Sequence, residues 1–164
     1  MLRRNTLLTI ICCLGALFTV ACNSDYEKED MPQPKMDLVR KHLGNSFIDK
    51  VVESDYSLLI KVTPKLPSKY KIENERVTIS DQDAKDLKNI LLNNDSYMFD
   101  LTKSCLFIPE YAIDFQGETN VTILLSPTCK QIEVIDEQSS SVRADIDPAF
   151  DSIMSILSKY QEKL

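Results

Sequence analysis

The sequence predicts an α+β fold: an antiparallel sheet of four or five strands with two or three helices packed on one face. Two observations carry this. Apolar side chains alternate over residues 105–115 and again over 121–129, either side of Gln116-Gly117-Glu118, which is the pattern of a β-hairpin. Two other stretches, near 81–93 and 148–162, space their apolar residues three and four apart, each behind a helix-start signal. Strand and helix patterns segregated in this way favour helices laid on an antiparallel sheet over alternating βα units.

The chain opens with Arg3 and Arg4, then an uncharged run from Leu7 to Ala21 that stops at Cys22. A basic start, an apolar middle and a small residue at a junction are the parts of an export signal. A permanent membrane helix needs roughly 20 apolar residues, and this run is shorter. Thr19-Val20-Ala21-Cys22 resembles the lipobox of bacterial lipoproteins, with Thr19 where Leu is usual. The resemblance implies that residues 1–21 are a signal peptide that is removed. It also implies that Cys22 is acylated and that the protein is moored to a bacterial membrane, the outer membrane or cell surface being favoured. Each buried CH₂ contributes about 0.8 kcal/mol and one chain holds only marginally, so the two or three acyl chains of that family make the anchor stable. Residues 22–34 then read as the lipidated Cys and a flexible tether. Asp25, Glu27, Glu29 and Asp30 are followed by Pro32 and Pro34, with almost nothing to bury.

Residues 35–164 are expected to form one globular domain. Met36, Val39 and Leu43 fall on one helical stripe that Gly44-Asn45 ends. Phe47 to Val52 fits either a short strand or more helix. Ser57 to Thr63, rich in Leu, Ile and Val, reads as a strand closed by Pro64 and Pro67, with a loop over 65–69. Tyr70 to Ile79 reads as a second strand. Ser80 is an N-cap with Asp81 and Asp83 in the first turn, where acids meet the positive end of the helix dipole. Ala84, Leu87, Ile90 and Leu91 form its buried stripe, and Asn93-Asn94 ends it. Asp147-Pro148 opens the last helix, with Phe150, Ile153, Met154, Leu157 and Tyr160 on one face.

For the central hairpin, a turn centred on Gly117 puts Ile113 opposite Val121, Tyr111 opposite Ile123, Pro109 opposite Leu125 and Cys105 opposite Cys129. A slip of one residue would turn every apolar side chain to the wrong face. Pro109 and Pro127 cannot donate to a ladder, so Ser126-Pro127-Thr128 also fits a turn into a third strand, Gln131 to Ile135. Tyr111, Phe107 and Phe115 are read as the core side of the sheet. Two of the five cysteines leave with the signal and one carries lipid, so Cys105 and Cys129 remain as an even pair outside the cytoplasm, and a disulfide is expected.

Composition narrows the function classes. The whole chain carries a net charge of −6. Loss of Arg3 and Arg4 leaves 17 cations against 25 acids, near −8, which disfavours nucleic acid and anionic headgroups as partners. His42 is the only histidine, so no imidazole cluster exists for a metal or a proton relay. Only Gly44 and Gly117 remain in the body, too few for a phosphate-cradling loop, and there is no Gly-x-Ser-x-Gly elbow. Asp81, Asp83 and Asp86 lack the glycine and spacing of a calcium loop, and Asp145, Asp147 and Asp151 receive the same reading. A carboxylate pair for glycoside hydrolysis is a spatial matter, but such clefts are usually lined with aromatics and this chain has no Trp. No catalytic, metal or cofactor-binding residues are therefore expected. The reading is a membrane-anchored envelope protein that binds a protein or glycan partner without catalysis. The alternatives are a small carboxylate hydrolase of envelope polymers and an inhibitor or immunity-type protein.

Overall fold

The computed structural model describes residues 35–65, 69–101, 103–135 and 141–164. The leader, Cys22 and the tether lie outside them.

The first helical stripe divides into two helices. Helix α1 (Asp37–Leu43) stops at Gly44, whose φ of 91° is a left-handed conformation that glycine adopts without a Cβ penalty. Helix α2 (Asn45–Glu53) follows at once and buries Phe47, Ile48 and Val51, which settles the open assignment of 47–52 as helix. The start of α1 is capped from a distance. Asn94 Oδ1 accepts from the Leu38 and Val39 backbone N–H groups at 3.0 and 3.1 Å. Asn94 itself opens a short 3-10 turn, Asn94–Ser96, directly after helix α3 (Asp81–Leu91). Helix α4 (Asp147–Gln161) begins with Pro148 in its first turn, as the sequence predicts.

Among the described residues the sheet has six strands, one more than the upper expectation. They are β1 (Tyr56–Lys65), β2 (Lys69–Thr78), β3 (Tyr111–Gln116), β4 (Val121–Ser126), β5 (Gln131–Ile135) and β6 (Ser141–Asp145), in spatial order β2-β1-β3-β4-β5-β6 and antiparallel throughout. The strand missed in the sequence is β6, five residues of which only Val142 and Ala144 are apolar. Pro64 lies inside β1 rather than ending it. It pairs with Tyr70 of β2, beyond the last β1–β3 pair at Lys61, so no third strand asks for its missing N–H.

The hairpin register is corrected. Tyr111 pairs with Leu125, Ile113 with Ile123 and Phe115 with Val121, so the turn is centred on Glu118, with the Gly117 N–H donating to Asn120 Oδ1 at 3.2 Å. The offset is two residues in pairing, which leaves every side chain on its expected face. Residues 105–109 are not strand: the Ile108 N–H bonds the Ser126 hydroxyl, and Glu110 is the first residue to bond β4's backbone. Cys105 is thus in a loop and Cys129 in the β4–β5 turn, yet the two are joined, with Cα atoms 5.9 Å apart.

The four helices among the described residues lie on one face of the sheet, over Leu59, Ile113, Phe115, Ile123 and Leu125, and bury them almost completely. The other face carries a smaller apolar patch of Ile60, Val62, Ala112 and Leu124, with Phe107 packed on it. Phe107 therefore departs from the expected core side: its residue belongs to the loop, which crosses to the opposite face. Burial, and then the Glu133 carboxylate, push the Tyr70 hydroxyl above its ordinary pKa. The β1–β2 hairpin changes register between Ile60 and Val62.

Candidate functional site

Four polar clusters stand out. At the start of α3, Asp83 Oδ2 accepts from the Tyr160 hydroxyl at 2.6 Å and Oδ1 from Lys159 at 2.6 Å, while the Ser80 N–H bonds the same Tyr160 oxygen at 2.9 Å. The Lys159 ammonium first, then Tyr160, hold Asp83 below the ordinary carboxylate range. The cluster ties the head of α3 to the tail of α4. On the second sheet face, Asp114 accepts from Thr122 Oγ1 at 2.9 Å and Gln116 Nε2 at 2.7 Å, with Arg76 at 3.6 Å. Further along that face, Arg143 Nε donates to Glu133 at 2.8 Å, and its guanidinium lies 4.6 Å from the Phe107 ring centroid.

The fourth cluster centres on Lys103. Its ammonium is 2.7 Å from Asp147 Oδ2 and 2.9 Å from Asp145 Oδ2, and donates to the Cys129 carbonyl at 2.9 Å. The approach to Asp145 Oδ2 is off the line of a hydrogen bond, so that contact is a Coulombic ion pair. Burial alone would lower Lys103, but the carboxylates of Asp147 and Asp145 outweigh it and raise its pKa. Two carboxylates therefore converge here, as a hydrolase would require, but a lysine cation occupies the space between them. The group joins loop, turn and helix start.

Beside this lysine lies a cavity of about 330 Å³. One side is formed by His42, Met98, Phe99 and Leu101, and the other by β6 residues 142–145 with Lys103 and Gln131. His42 stacks on Phe99, with ring centroids 4.2 Å apart, and Phe99 stacks in turn on Tyr97 at 4.9 Å. The Tyr97 hydroxyl donates to the Leu91 carbonyl at 2.7 Å, and burial pushes that phenol well above its ordinary pKa. The stack is thus anchored at α3 and reaches the cavity through His42. A smaller cavity of about 180 Å³ lies between Asp55–Ser57 and α3, where Lys88 donates to the Ser54 carbonyl at 2.7 Å and closes the end of α2.

The residues singled out in the sequence are placed as follows. Cys105 lines the larger cavity and is bonded to Cys129. His42, in the last turn of α1, is on the cavity wall. Asp145 and Asp147 are Lys103's partners, and Asp83 belongs to a buried network, although both groups read in the sequence as helix-start acids. Lys103, Arg143 and Phe99 were not legible as site residues, since they sit outside any periodic pattern. The doublet Asp145-x-Asp147 was the one signal that a cation would be held there. Among the described residues no three His, Cys, Asp or Glu side chains gather to hold a metal, and no helix is long and apolar enough to cross a membrane. Comparison of the chain with protein-family models, with curated proteins and with solved structures finds no match.

Proposed function

We propose that this chain is a lipid-anchored, non-catalytic binding protein of the bacterial cell envelope, and that the cavity beside β6 receives a protein or glycan partner. The observation that carries the reading is the make-up of that cavity. Aromatic and aliphatic side chains of Phe99, Leu101 and Val142 meet the hydrogen-bonding groups of Lys103, Gln131 and Arg143 in one lining, the general character of a recognition site. Its carboxylate, Asp145, is committed to Lys103, which suits a structural role better than proton transfer. The anchor rests on the sequence of residues 1–22 alone.

Two measurements test it. The native protein is expected to incorporate a palmitate analogue and to sediment with membranes, and Cys22→Ala to lose both properties. The binding reading would be overturned by turnover of an envelope polymer that disappears in Asp145→Asn or Glu133→Gln.

A further inference from the structure

The cavity's lining alternates along β6. Val142 and Ala144 have side chains on the helix-covered face, whereas Arg143 and Asp145 have theirs on the opposite face, yet all four border the same space. Side chains of successive strand residues point to opposite faces. A space that touches both sets lies off the edge of the strand, in the plane of the sheet, where a seventh strand would run. β6 is the edge strand on this side.

The backbone has the matching orientation. The Ile146 N–H donates inward, to the Lys130 carbonyl at 3.0 Å, and the Asp145 carbonyl accepts outward, from the Met98 N–H at 3.0 Å. Backbone groups of alternate residues point to opposite sides of a strand, so the N–H and C=O of Arg143 point outward into the cavity. Among the described residues no backbone group pairs with them. The Met98 contact also shows that this edge accepts a backbone donor laid alongside it.

We propose that this slot is a β-strand-addition site for an extended peptide segment whose residues alternate apolar and acidic. The proposal rests on the binding reading above and specifies its ligand class. Main-chain hydrogen bonds to Arg143 would supply affinity, and the two unlike walls would supply selectivity. Side chains on one side of the added strand meet Phe99, Val142 and His42, which favours apolar residues. Those on the other side meet Arg143. Its Nε is held by Glu133 and its guanidinium lies over the Phe107 ring, but the side chain is about half exposed, which leaves the terminal nitrogens within reach of an incoming acid.

The test uses the full-length chain and an array of fluorescein-labelled, end-blocked heptapeptides. Peptides alternating apolar and acidic residues are compared with scrambled peptides of the same composition, with a backbone N-methylated copy, and with chitotriose as a competitor. The expected result is saturable anisotropy with alternating members, at least tenfold weaker for scrambled and N-methylated forms, and no competition by chitotriose. Arg143→Pro removes an outward N–H, and Leu101→Trp fills the slot from an exposed position; each is expected to weaken binding at least tenfold. Arg143→Ala, which keeps the N–H, is expected to weaken it less and to reduce its salt dependence. If Arg143→Pro unfolds, Leu101→Trp and the N-methylated peptide still decide. Equal binding of alternating and scrambled peptides, or none by any alternating member, overturns strand addition. Chitotriose binding blocked by Leu101→Trp would overturn it too while leaving the wider binding reading intact.

Discussion

Asp83 shows how much one side chain can hold. It is 8% exposed and joins α3 to α4 through Lys159, 76 residues further along the chain, and its neighbour Tyr160. Its carboxylate is acceptor-only, so all of its partners donate. Asp83→Asn keeps the shape but weakens both contacts, and a loss of about 1–2 kcal/mol is expected. That corresponds to roughly 4 °C per kcal/mol in thermal unfolding of a domain this size. The pH dependence has a definite sign. Because Asp83 is held below its unfolded value, its contribution is whole above about pH 4 and fades as pH falls through the lowered folded value. The gap in melting temperature between the native chain and Asp83→Asn is therefore expected to be wide at pH 7 and to close below pH 4. A gap independent of pH would show that the charge is not what ties the helices.

At the scale of elements, α1 is seven residues long, too short to be stable alone, and depends on what meets its first turn. Asn94→Ala removes the acceptor for two of its N–H groups, at a cost of about 1 kcal/mol. Faster hydrogen exchange at Leu38 and Val39, with α4 unchanged, is the expected signature. The disulfide acts on a larger segment. Cys105 and Cys129 are 24 residues apart, and a closed loop of that length contributes about 3 kcal/mol in the chain-entropy model. Paired Cys105→Ser and Cys129→Ser changes are expected to lower the melting temperature, and non-reducing peptide mapping of the native chain to recover the two cysteines joined.

The same elements show what a sequence can and cannot convey. α3 and α4 were legible because local chemistry alone sets them, with Ser80 and Pro148 at their starts and an apolar stripe behind each. The hairpin's faces were legible, but its pairing was not. Alternation fixes only odd against even, and the side chain of Asn120 moves the turn one residue past the apparent pivot. β6 was not legible because its residues Ser141, Arg143 and Asp145 are polar and its strand character comes from β5 beside it. The cavity was beyond reach for the same reason. Its walls come from α1, a loop and an edge strand, and only tertiary packing brings them together.

For the molecule as a whole, the two edges of the sheet are unequal. β6 is flanked by the loop through Met98–Lys103 and by α1, which leaves one short gap. β2 is longer and, among the described residues, has no strand beyond it, but it carries Lys71, Glu73, Glu75 and Arg76, with Lys71 and Glu73 paired along the strand. Charges of this kind keep an edge from templating another chain. Beside them Tyr70 and Ile72 are each 37% exposed, so the guard is thin. Lys71→Val with Glu73→Val is expected to raise the weight-average sedimentation coefficient and thioflavin-T fluorescence relative to the native chain, without lowering its helical circular dichroism.

On the proposed membrane anchor, that guarded β2 edge bears on crowding. Proteins confined to a surface meet at local densities far above those in solution, and repeated sideways collisions favour stacking of sheets into fibrils. A rim of mixed charges on the long side, and a gap only a few residues wide on the short one, would let copies stand close together without zippering.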